Sequence, residues 1–558
     1  MLASLARATG RIVLAVCSFA VAMVATFWLL AGVAAADETS ATDKLRILYS
    51  TRFTFTDDGV PLVTVEITGN RKDIKLRAKG GIVVRPDGQG GSAVEADGGE
   101  AWTITAEGTK PAVISAWTVV ETLSPDDASG IAQATARWKE RGFDPKPFEI
   151  GTMFGVNGEV IDTREVRIAI DPVAQSKGSE RAASIAKRFG VRTSVHQELV
   201  RRPSGTIVAR SGATVIKNPS VLWFMPKKAT ETLTVLDVPT GTGGSQLTTG
   251  IEDRRYWGSV YITLDHDGSL LAANAVSEDK LLAGIVPSEM YPDAPPAALE
   301  AQAIAARTEL LQKIGRRNQV EPFLLCSTQQ CQVYAGAGKE DPRTTRAIEK
   351  TRGMVVLRNG GGLVDIRYSA SCGGHSEDND WIWGGEPDPS LRGRYDNTKA
   401  NTSRITHDNV AAFLDGDAGD AWCETGKLGK GRFRWTERLR TDDLAARIAA
   451  DYPEVGRVSA LIPKTRGVSG RIGTLTIKGD KGSIDVSGDL KIRRLLGGLK
   501  SSLFEVKKDG DAFVIRGAGF GHGVGMCQMG AIGMATAGKS YAQILAHYYR
   551  GTHLHKLY

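Results

Sequence analysis

The sequence contains no dense run of lysine and arginine residues, although its formal net charge is +7. Proteins that bind nucleic acids concentrate positive charge where it meets the phosphate backbone. The scattered distribution therefore argues against a nucleic-acid partner. An anionic cell-wall polymer suits this mild excess of positive charge equally well, so charge alone does not identify the partner.

Motifs for two other kinds of chemistry are also missing. The glycine-rich stretch 519–525 has no phosphate-loop lysine and no strand–loop–helix context, which argues against nucleotide binding. His547, His553 and His555 have no acidic or thiol ligand at a metal-binding spacing, so we expect a solvated histidine-rich tail. No motif implies an organic cofactor.

The composition and length indicate a globular protein of several domains. Hydrophobic residues make up 42% of the 558 positions and charged residues 24%, which is ordinary for folded proteins and unlike disordered chains. A single core rarely serves a chain of this length, so three or more domains are expected.

The first 36 residues resemble an export signal. Arg7 and Arg11 precede an apolar run at residues 12–30, and the small residues 34–36 stand where a signal peptidase would cleave. The run is close to the length that spans a bilayer, so an uncleaved membrane anchor is the alternative. Both possibilities place the rest of the chain outside the cytoplasm, in the periplasm or cell wall.

Periodicity divides the remaining chain into four regions. Alternating strands predict a β-rich accessory domain at residues 37–116, and two successive β-α-β units are predicted at 117–205. These two units resemble the SPOR peptidoglycan-binding module, with a structural insert as the favoured alternative. Further strands and a Gly/Thr-rich linker follow at 206–250. Residues 251–558 form the C-terminal region, and the fold class is α+β.

Glu289 is the best candidate for acid–base chemistry. Its helix is expected to end before Pro287, and the next helix to begin near Pro296, so Glu289 would lie on a turn flanked by prolines and apolar residues. An apolar environment raises the pKa of a carboxyl group, as a general acid at neutral pH requires.

Several segments of the C-terminal region together resemble the SpoIID/LytB family, which is named for stage II sporulation protein D and an amidase-modifier protein. They occur in family order over slightly more than half the chain, at residues 286–290 (Val-Pro-Ser-Glu-Met), 298–308, 331–336, 369–377 and 519–531.

The resemblance implies a peptidoglycan lytic transglycosylase. Such enzymes cut between N-acetylmuramic acid and N-acetylglucosamine, leave a 1,6-anhydro end and favour strands stripped by an amidase. It implies that Glu289 is the acid and base. A non-catalytic wall-binding protein or amidase modulator is the alternative that the LytB side of the family implies. The expected partners are glycan strands and a cell-wall amidase, with a membrane contacted only through an uncleaved leader.

Six further residues are expected to line the cleft, with no second catalyst among them: Gln302, Arg307, Ser371, His375, His522 and Gln528.

Five cysteines follow the leader, and this odd number leaves at least one without a partner inside the chain. Cys326 and Cys331 admit two interpretations, a disulfide, which we favour for an exported protein, or zinc ligands as in one family member. Cys372 and Cys423 are expected to form the other bridge, which would leave Cys527 as the free thiol.

Overall fold

The computed structural model describes residues 48–50, 54–56, 58–86, 93–156, 159–240, 250–328, 331–397, 403–416, 420–424, 429 and 431–558. It contains both helices and antiparallel sheets, which confirms the α+β class. The export signal predicted at 1–36 lies outside the described residues, as does most of the predicted linker. Among the residues described, no helix combines the length and apolar character that crossing a membrane requires.

In the described part of the chain, 19 strands precede the first helix of the C-terminal region, and most belong to three sheets. In chain order they are β1 (Thr54–Phe55), β2 (Pro61–Arg71), β3 (Asp73–Ala78), β4 (Ile82–Arg85), β5 (Val94–Ala96), β6 (Trp102–Lys110), β7 (Val113–Leu123), β8 (Lys146–Ile150), β9 (Met153–Val156), β10 (Glu159–Asp162), β11 (Glu165–Ala174), β12 (Ser194–Arg201), β13 (Ser204–Ser211), β14 (Thr214–Asn218), β15 (Val221–Pro226), β16 (Leu233–Thr240), β17 (Gly250–Tyr256), β18 (Ser259–Leu264) and β19 (Leu270–Ser277).

Two large sheets pack against each other through a shared apolar core. The seven-stranded sheet has the order β1-β2-β19-β18-β15-β4-β5, and the six-stranded sheet β14-β13-β6-β3-β16-β17. Alternate residues of both sheets point into one buried cluster, in which Trp102 of β6 meets Phe224 of β15 edge to face at 6.1 Å. Burying one face of each sheet in this way is what stabilises a β-sandwich.

This sandwich joins regions that the sequence analysis separates. The predicted boundary after residue 250 falls at the first residue of β17. This strand pairs with β16, and Leu233 lies opposite Tyr256. In the other sheet, β19 pairs with β2, so Ser277 lies opposite Leu62. Each of the two sheets therefore contains strands from both sides of the predicted boundary. These strands satisfy one another's backbone hydrogen bonds, so the boundary does not separate two domains.

The two predicted β-α-β units form a separate four-stranded antiparallel sheet of order β12-β7-β11-β8. Helices α1 (Ala128–Glu140) and α2 (Gly178–Phe189) cover one face, where Trp138, Ile168 and Ile185 are buried together. Gly190 closes α2 in a left-handed conformation that glycine adopts without strain. In the chain, this unit is inserted between β6 and β13, and these two strands are paired with each other in the sandwich.

Two helices follow the sandwich, α3 (Glu278–Glu289) and α4 (Pro296–Lys313). The prediction that α3 ends before Pro287 was wrong, because the helix continues to Glu289. Proline removes one backbone donor, but the last turn is held by the Met290 N–H, which donates to Val286 O at 2.9 Å. Glu289 is consequently fixed at a helix C-terminus and does not lie on an irregular turn.

Helix α4 is buried on all sides. Fifteen of its 18 residues are buried, polar ones included, although the sequence pattern predicts a single apolar stripe. Later helices surround it or follow it in the chain: α5 (Pro342–Lys350), α6 (Asn379–Trp383), α7 (Val410–Asp415), α8 (Thr441–Asp451), α9 (Asp489–Leu495), α10 (Gln528–Thr536) and α11 (Tyr541–Tyr548).

The later strands form small sheets. They are β20 (Met354–Arg358), β21 (Tyr368–Ser369), β22 (Arg434–Arg440), β23 (Val458–Arg466), β24 (Ile472–Gly479), β25 (Ser483–Ser487), β26 (Phe504–Asp509), β27 (Ala512–Ala518), β28 (Met526–Cys527) and β29 (Thr552–Lys556). Strands β22–β27 and α8 and α9 enclose a core of their own. The expected histidine tail forms a strand: β29, which holds His553 and His555, pairs with β20, and His553 stays exposed as predicted.

Candidate active site

Glu289 faces a pocket of about 230 Å³ at the C-terminus of α3. Its half-buried side chain shares the pocket with Tyr291 from the following turn and with residues from distant segments. Parallel pairing of β21 with β28 brings those segments together beside α3. The distant lining residues include Ala370, Arg432, Phe520 and Gln528.

Burial in this pocket, together with the weaker effect of the negative charge of Glu309, raises the pKa of Glu289 to about 7. Two weaker influences oppose the shift: the Val333 N–H lies 3.4 Å from Glu289 Oε1, and the Lys313 ammonium attracts the carboxylate. Glu289 is thus half protonated near neutral pH, where it can both donate and accept a proton.

Glu309 belongs to a buried polar network that the sequence analysis missed. Lys313 Nζ donates to Glu309 Oε1 at 2.5 Å and also to the Cys331 carbonyl, while Gln332 Nε2 donates to Glu309 Oε2 at 3.1 Å. Both oxygens of Glu309 are therefore held in place. The available signal was the Glu–Lys pair four residues apart on α4, but such pairs are common on solvated helix faces.

Gln528 and Gln302 come together next to Glu289, but only Gln528 lines the pocket as predicted. Gln528 Nε2 donates to the Glu289 backbone carbonyl at 2.8 Å and approaches Gln302 Oε1 at 3.3 Å. Gln528 lines the pocket, whereas Gln302 is fully buried behind it. Within the described part of the chain, Gln302 Nε2 has no hydrogen-bond partner.

Ser371 supports the pocket from behind and does not line it. It is fully buried, and its backbone exchanges two hydrogen bonds with Phe520, at 3.0 and 2.8 Å. Its Oγ accepts from the Gly373 N–H at 3.3 Å. The residue therefore positions Phe520, whose side chain forms part of the pocket wall.

Neither histidine lines the pocket, contrary to expectation. His375 is buried with its ring 4.6 Å from Tyr395, and burial lowers its pKa to about 4. His522 Nδ1 accepts from the Val524 N–H at 3.0 Å, its ring packs 4.8 Å from Trp383, and burial lowers its pKa to about 3. Both rings are neutral near neutral pH and have packing roles.

Arg307 does not line the pocket either, contrary to the prediction. It points away from the pocket into the core, where Nε lies 2.8 Å from Glu278 Oε1 and neither side chain is exposed. Its Nη1 donates to the Thr351 carbonyl at 2.7 Å. Because α4 is buried on all sides, a charged residue on it needs a partner wherever it points.

The cysteines only partly follow the prediction. Cys326 and Cys331 form a disulfide, the favoured of the two interpretations. The expected Cys372–Cys423 bridge is absent: both are buried thiols with their sulfur atoms 3.6 Å apart, and Cys527 is a third buried thiol beside them. Asp396 and Cys527 share the space around the two sulfurs.

A second pocket, of about 360 Å³, lies between the four-stranded sheet and the loop after α4. Arg167, His196, Arg316 and Arg317 are among its lining residues. None of the segments that carry the family resemblance contributes to it, so the Glu289 pocket is the candidate active site.

Comparison with known proteins agrees with the position of this site. The family model described as Stage II sporulation protein (SpoIID) matches residues 266–357, which include Glu289. A model described as a domain of unknown function (DUF8618) matches residues 377–525. An uncharacterized protein of Brachyspira hyodysenteriae is 30% identical over 302 residues, which cover 54% of this chain and 72% of that protein.

Two named relatives come from Bacillus subtilis. The amidase enhancer is 31% identical over 301 residues, which cover 49% of this chain and 40% of that protein. Stage II sporulation protein D is 26% identical over 299 residues, which cover 50% of this chain and 74% of that protein. The chain therefore belongs to the SpoIID/LytB family, as the sequence motifs indicate.

Proposed function

We propose that the protein cleaves peptidoglycan glycan strands as a lytic transglycosylase, with Glu289 as its acid and base. Family membership supports a role related to the cell wall. The observation that carries the finer proposal is a carboxyl group with a pKa of about 7 at an open pocket. A group that titrates near the working pH is suited to general acid–base catalysis.

A single carboxyl group is sufficient for this reaction. Protonated Glu289 gives its proton to the glycosidic oxygen, the bond from that oxygen to the muramic C1 breaks, and N-acetylglucosamine leaves with a hydroxyl group. The Glu289 carboxylate then takes the proton from the muramic 6-hydroxyl group, and the oxygen of that hydroxyl group bonds to C1. This closes the 1,6-anhydro ring and restores protonated Glu289. No water is activated, so no second carboxylate is required.

The surroundings of Glu289 suit both steps. Glu309 lies behind it as a fixed negative charge and favours the protonated form needed first. The Val333 N–H and Lys313 favour the carboxylate that remains after bond cleavage. Gln528 holds the backbone of Glu289 through the 2.8 Å hydrogen bond, which orients the carboxyl group toward the substrate.

Exposed aromatic side chains provide surfaces on which sugar rings can stack. Tyr291 in the pocket is 37% exposed and carries the Arg432 guanidinium at 5.3 Å from its ring. Trp383 is 52% exposed, packs against His522 and lies under the Arg367 guanidinium. Arg367 Nη1 is 3.9 Å from Glu309 Oε1, which links Trp383 to the network behind Glu289. Large exposed aromatics of this kind commonly mark ligand surfaces.

The test is mass spectrometry of peptidoglycan, both intact and amidase-treated, after incubation with the protein or with Glu289→Gln. We expect 1,6-anhydro-muramic ends from the native protein and none from the variant. Glu349→Gln, the same change at an exposed position on α5, is the matched control and should stay active. Reducing ends from the native protein would instead indicate a hydrolase and refute the anhydro mechanism.

A second candidate function is stimulation of a cell-wall amidase. It is favoured by the 31% identity with a protein named amidase enhancer. In that case the native protein alone releases no glycan product, while both it and Glu289→Gln accelerate an added amidase to the same extent. The two readouts, glycan ends and released stem peptides, separate the two functions in a single set of digests.

A further inference from the structure

Four potential metal ligands converge in the core beneath the pocket wall. Cys372, Asp396, Cys423 and Cys527 each offer one atom, and these atoms all lie within 4.8 Å of one another. All four side chains are essentially inaccessible, the most exposed at 1%. They come from separate loops and from the N-cap of α10, so only the folded chain assembles them.

We propose that these residues form a structural zinc site with three thiolate ligands and one carboxylate. Zinc favours tetrahedral sites built from cysteine sulfur, completed by a nitrogen or oxygen ligand. This site is separate from Cys326 and Cys331, which are joined to each other. It does not depend on the function proposed for Glu289.

The distances suit a tetrahedral ion. With zinc–sulfur bonds of about 2.3 Å, two sulfurs of a tetrahedron lie about 3.8 Å apart, and a sulfur and an oxygen lie about 3.5 Å apart. Cys372 Sγ is 3.6 Å from Cys423 Sγ and 3.3 Å from Asp396 Oδ2. The remaining separations stay below 4.8 Å, so small side-chain movements complete the tetrahedron.

The outer contacts are those that orient metal ligands. Asp396 Oδ1 accepts from Tyr548 Oη at 2.8 Å and lies 3.3 Å from His547 Nε2, which leaves Oδ2 directed at the sulfurs. Cys527 Sγ accepts from the backbone N–H groups of Cys372 at 3.1 Å and Gly530 at 3.3 Å. Hydrogen bonds of this kind hold the residues that bind a metal ion in place and stabilise the negative charge of a thiolate.

Gly530 provides the space that the site needs. A Cβ atom at this position would lie 2.5 Å from Asp396 Oδ2 and 2.0 Å from Tyr548 Oη, which is closer than van der Waals contact permits. Only glycine lets the first turn of α10 approach the carboxylate so closely. The helix thereby brings Cys527 and Asp396 to the same point.

A Cys372–Cys423 disulfide is the competing arrangement. It would leave Cys527 as a lone thiol beside the buried Asp396 carboxylate in a largely apolar core. Zinc uses all four groups at once. The consequence for the pocket is direct, because Cys527 precedes Gln528, which hydrogen-bonds Glu289, and Cys372 follows Ser371, which positions Phe520.

The test measures the zinc content of the purified full-length protein by inductively coupled plasma mass spectrometry. We expect one zinc per chain in the native protein and in the control Cys326→Ser/Cys331→Ser, and a loss of zinc in Cys423→Ser. Zinc retained by Cys423→Ser, or lost from the control, would overturn the proposal.

A second measurement covers the case in which Cys423→Ser fails to fold. The native protein, stripped of metal under reducing conditions, is titrated with Co²⁺, and thiolate-to-cobalt charge-transfer absorption is expected. Absence of the cobalt absorption, or a Cys372–Cys423 disulfide in the peptide map of the folded native protein, would refute the zinc site.

Discussion

Replacing Glu289 by glutamine should make the protein more stable at alkaline pH. The pKa of this carboxyl group is raised from 4.5 to about 7 in the folded protein. Between these values the folded state holds a proton that the unfolded chain has lost. Stability therefore falls as pH rises through this window. At about 1.4 kcal/mol per pKa unit, the total loss is about 3 kcal/mol.

Glutamine does not ionise and can still accept the Val333 hydrogen bond, so Glu289→Gln escapes this loss. We expect nearly equal free energies of unfolding at about pH 4.5 and a gain of about 2–3 kcal/mol for the variant at about pH 8. The assay is urea unfolding followed by tryptophan fluorescence at both pH values. Exposed Glu349→Gln controls for the chemical change itself.

A constant difference between native protein and Glu289→Gln at both pH values would refute this reasoning, since only a pH-dependent gain reports the buried charge. A variant that is less stable at about pH 8 would refute it more strongly. The predicted gain accompanies the loss of glycan cleavage. The carboxyl group would then contribute to activity at the expense of stability, which is common for residues of active sites.

Three other changes test other parts of the structure. Glu309→Gln removes the charge behind Glu289 and should lower the pKa of that carboxyl, so the alkaline limb of the pH–rate profile for glycan cleavage moves to lower pH. If the alkaline limb does not move, the charge of Glu309 does not influence the pKa of Glu289, and this reasoning is wrong. Arg307→Met leaves Glu278 buried without its partner and should cost about 3–5 kcal/mol in urea unfolding, with partial recovery when Glu278→Gln is added. Trp383→Ala should raise KM for glycan strands about two- to tenfold with kcat unchanged, and a fall in kcat alone would contradict a stacking role.

Local patterns predicted most of the secondary structure. The inserted sheet shows this well, because strand alternation, an apolar helix face and a stop at Gly190 are each encoded within a few residues. The pairing of β2 with β19 could not be found in the same way. Nothing near residues 61–71 indicates a partner about 200 positions later, since strand pairing depends on the whole fold.

The residues of the candidate site show the same difference between what local patterns predict and what depends on the whole fold. Glu289 was identified from the apolar environment and the family motif, and the structure places it at a pocket. Arg307 lies within a matching motif, yet its side chain points into the core, because neither a motif nor helical periodicity reveals that α4 is enclosed on every side. The sequence alone does not predict that Asp396 lies beside the three cysteines, since nothing near a single aspartate in a loop indicates its distant neighbours.

The pairing of β6 with β13 has a consequence for how this chain can change over time. Lys110 and Ser204 are opposite one another at the ends of those strands, so the inserted sheet leaves and rejoins the sandwich at neighbouring points. A single in-frame deletion between them would leave a β-hairpin, and a single in-frame exchange would install another unit. Exchange of this segment is constrained mainly where it contacts the sandwich. Phe154 of β9 and Ile161 of β10 are buried in the sandwich core, and Glu165 pairs with Arg316 in the loop after α4.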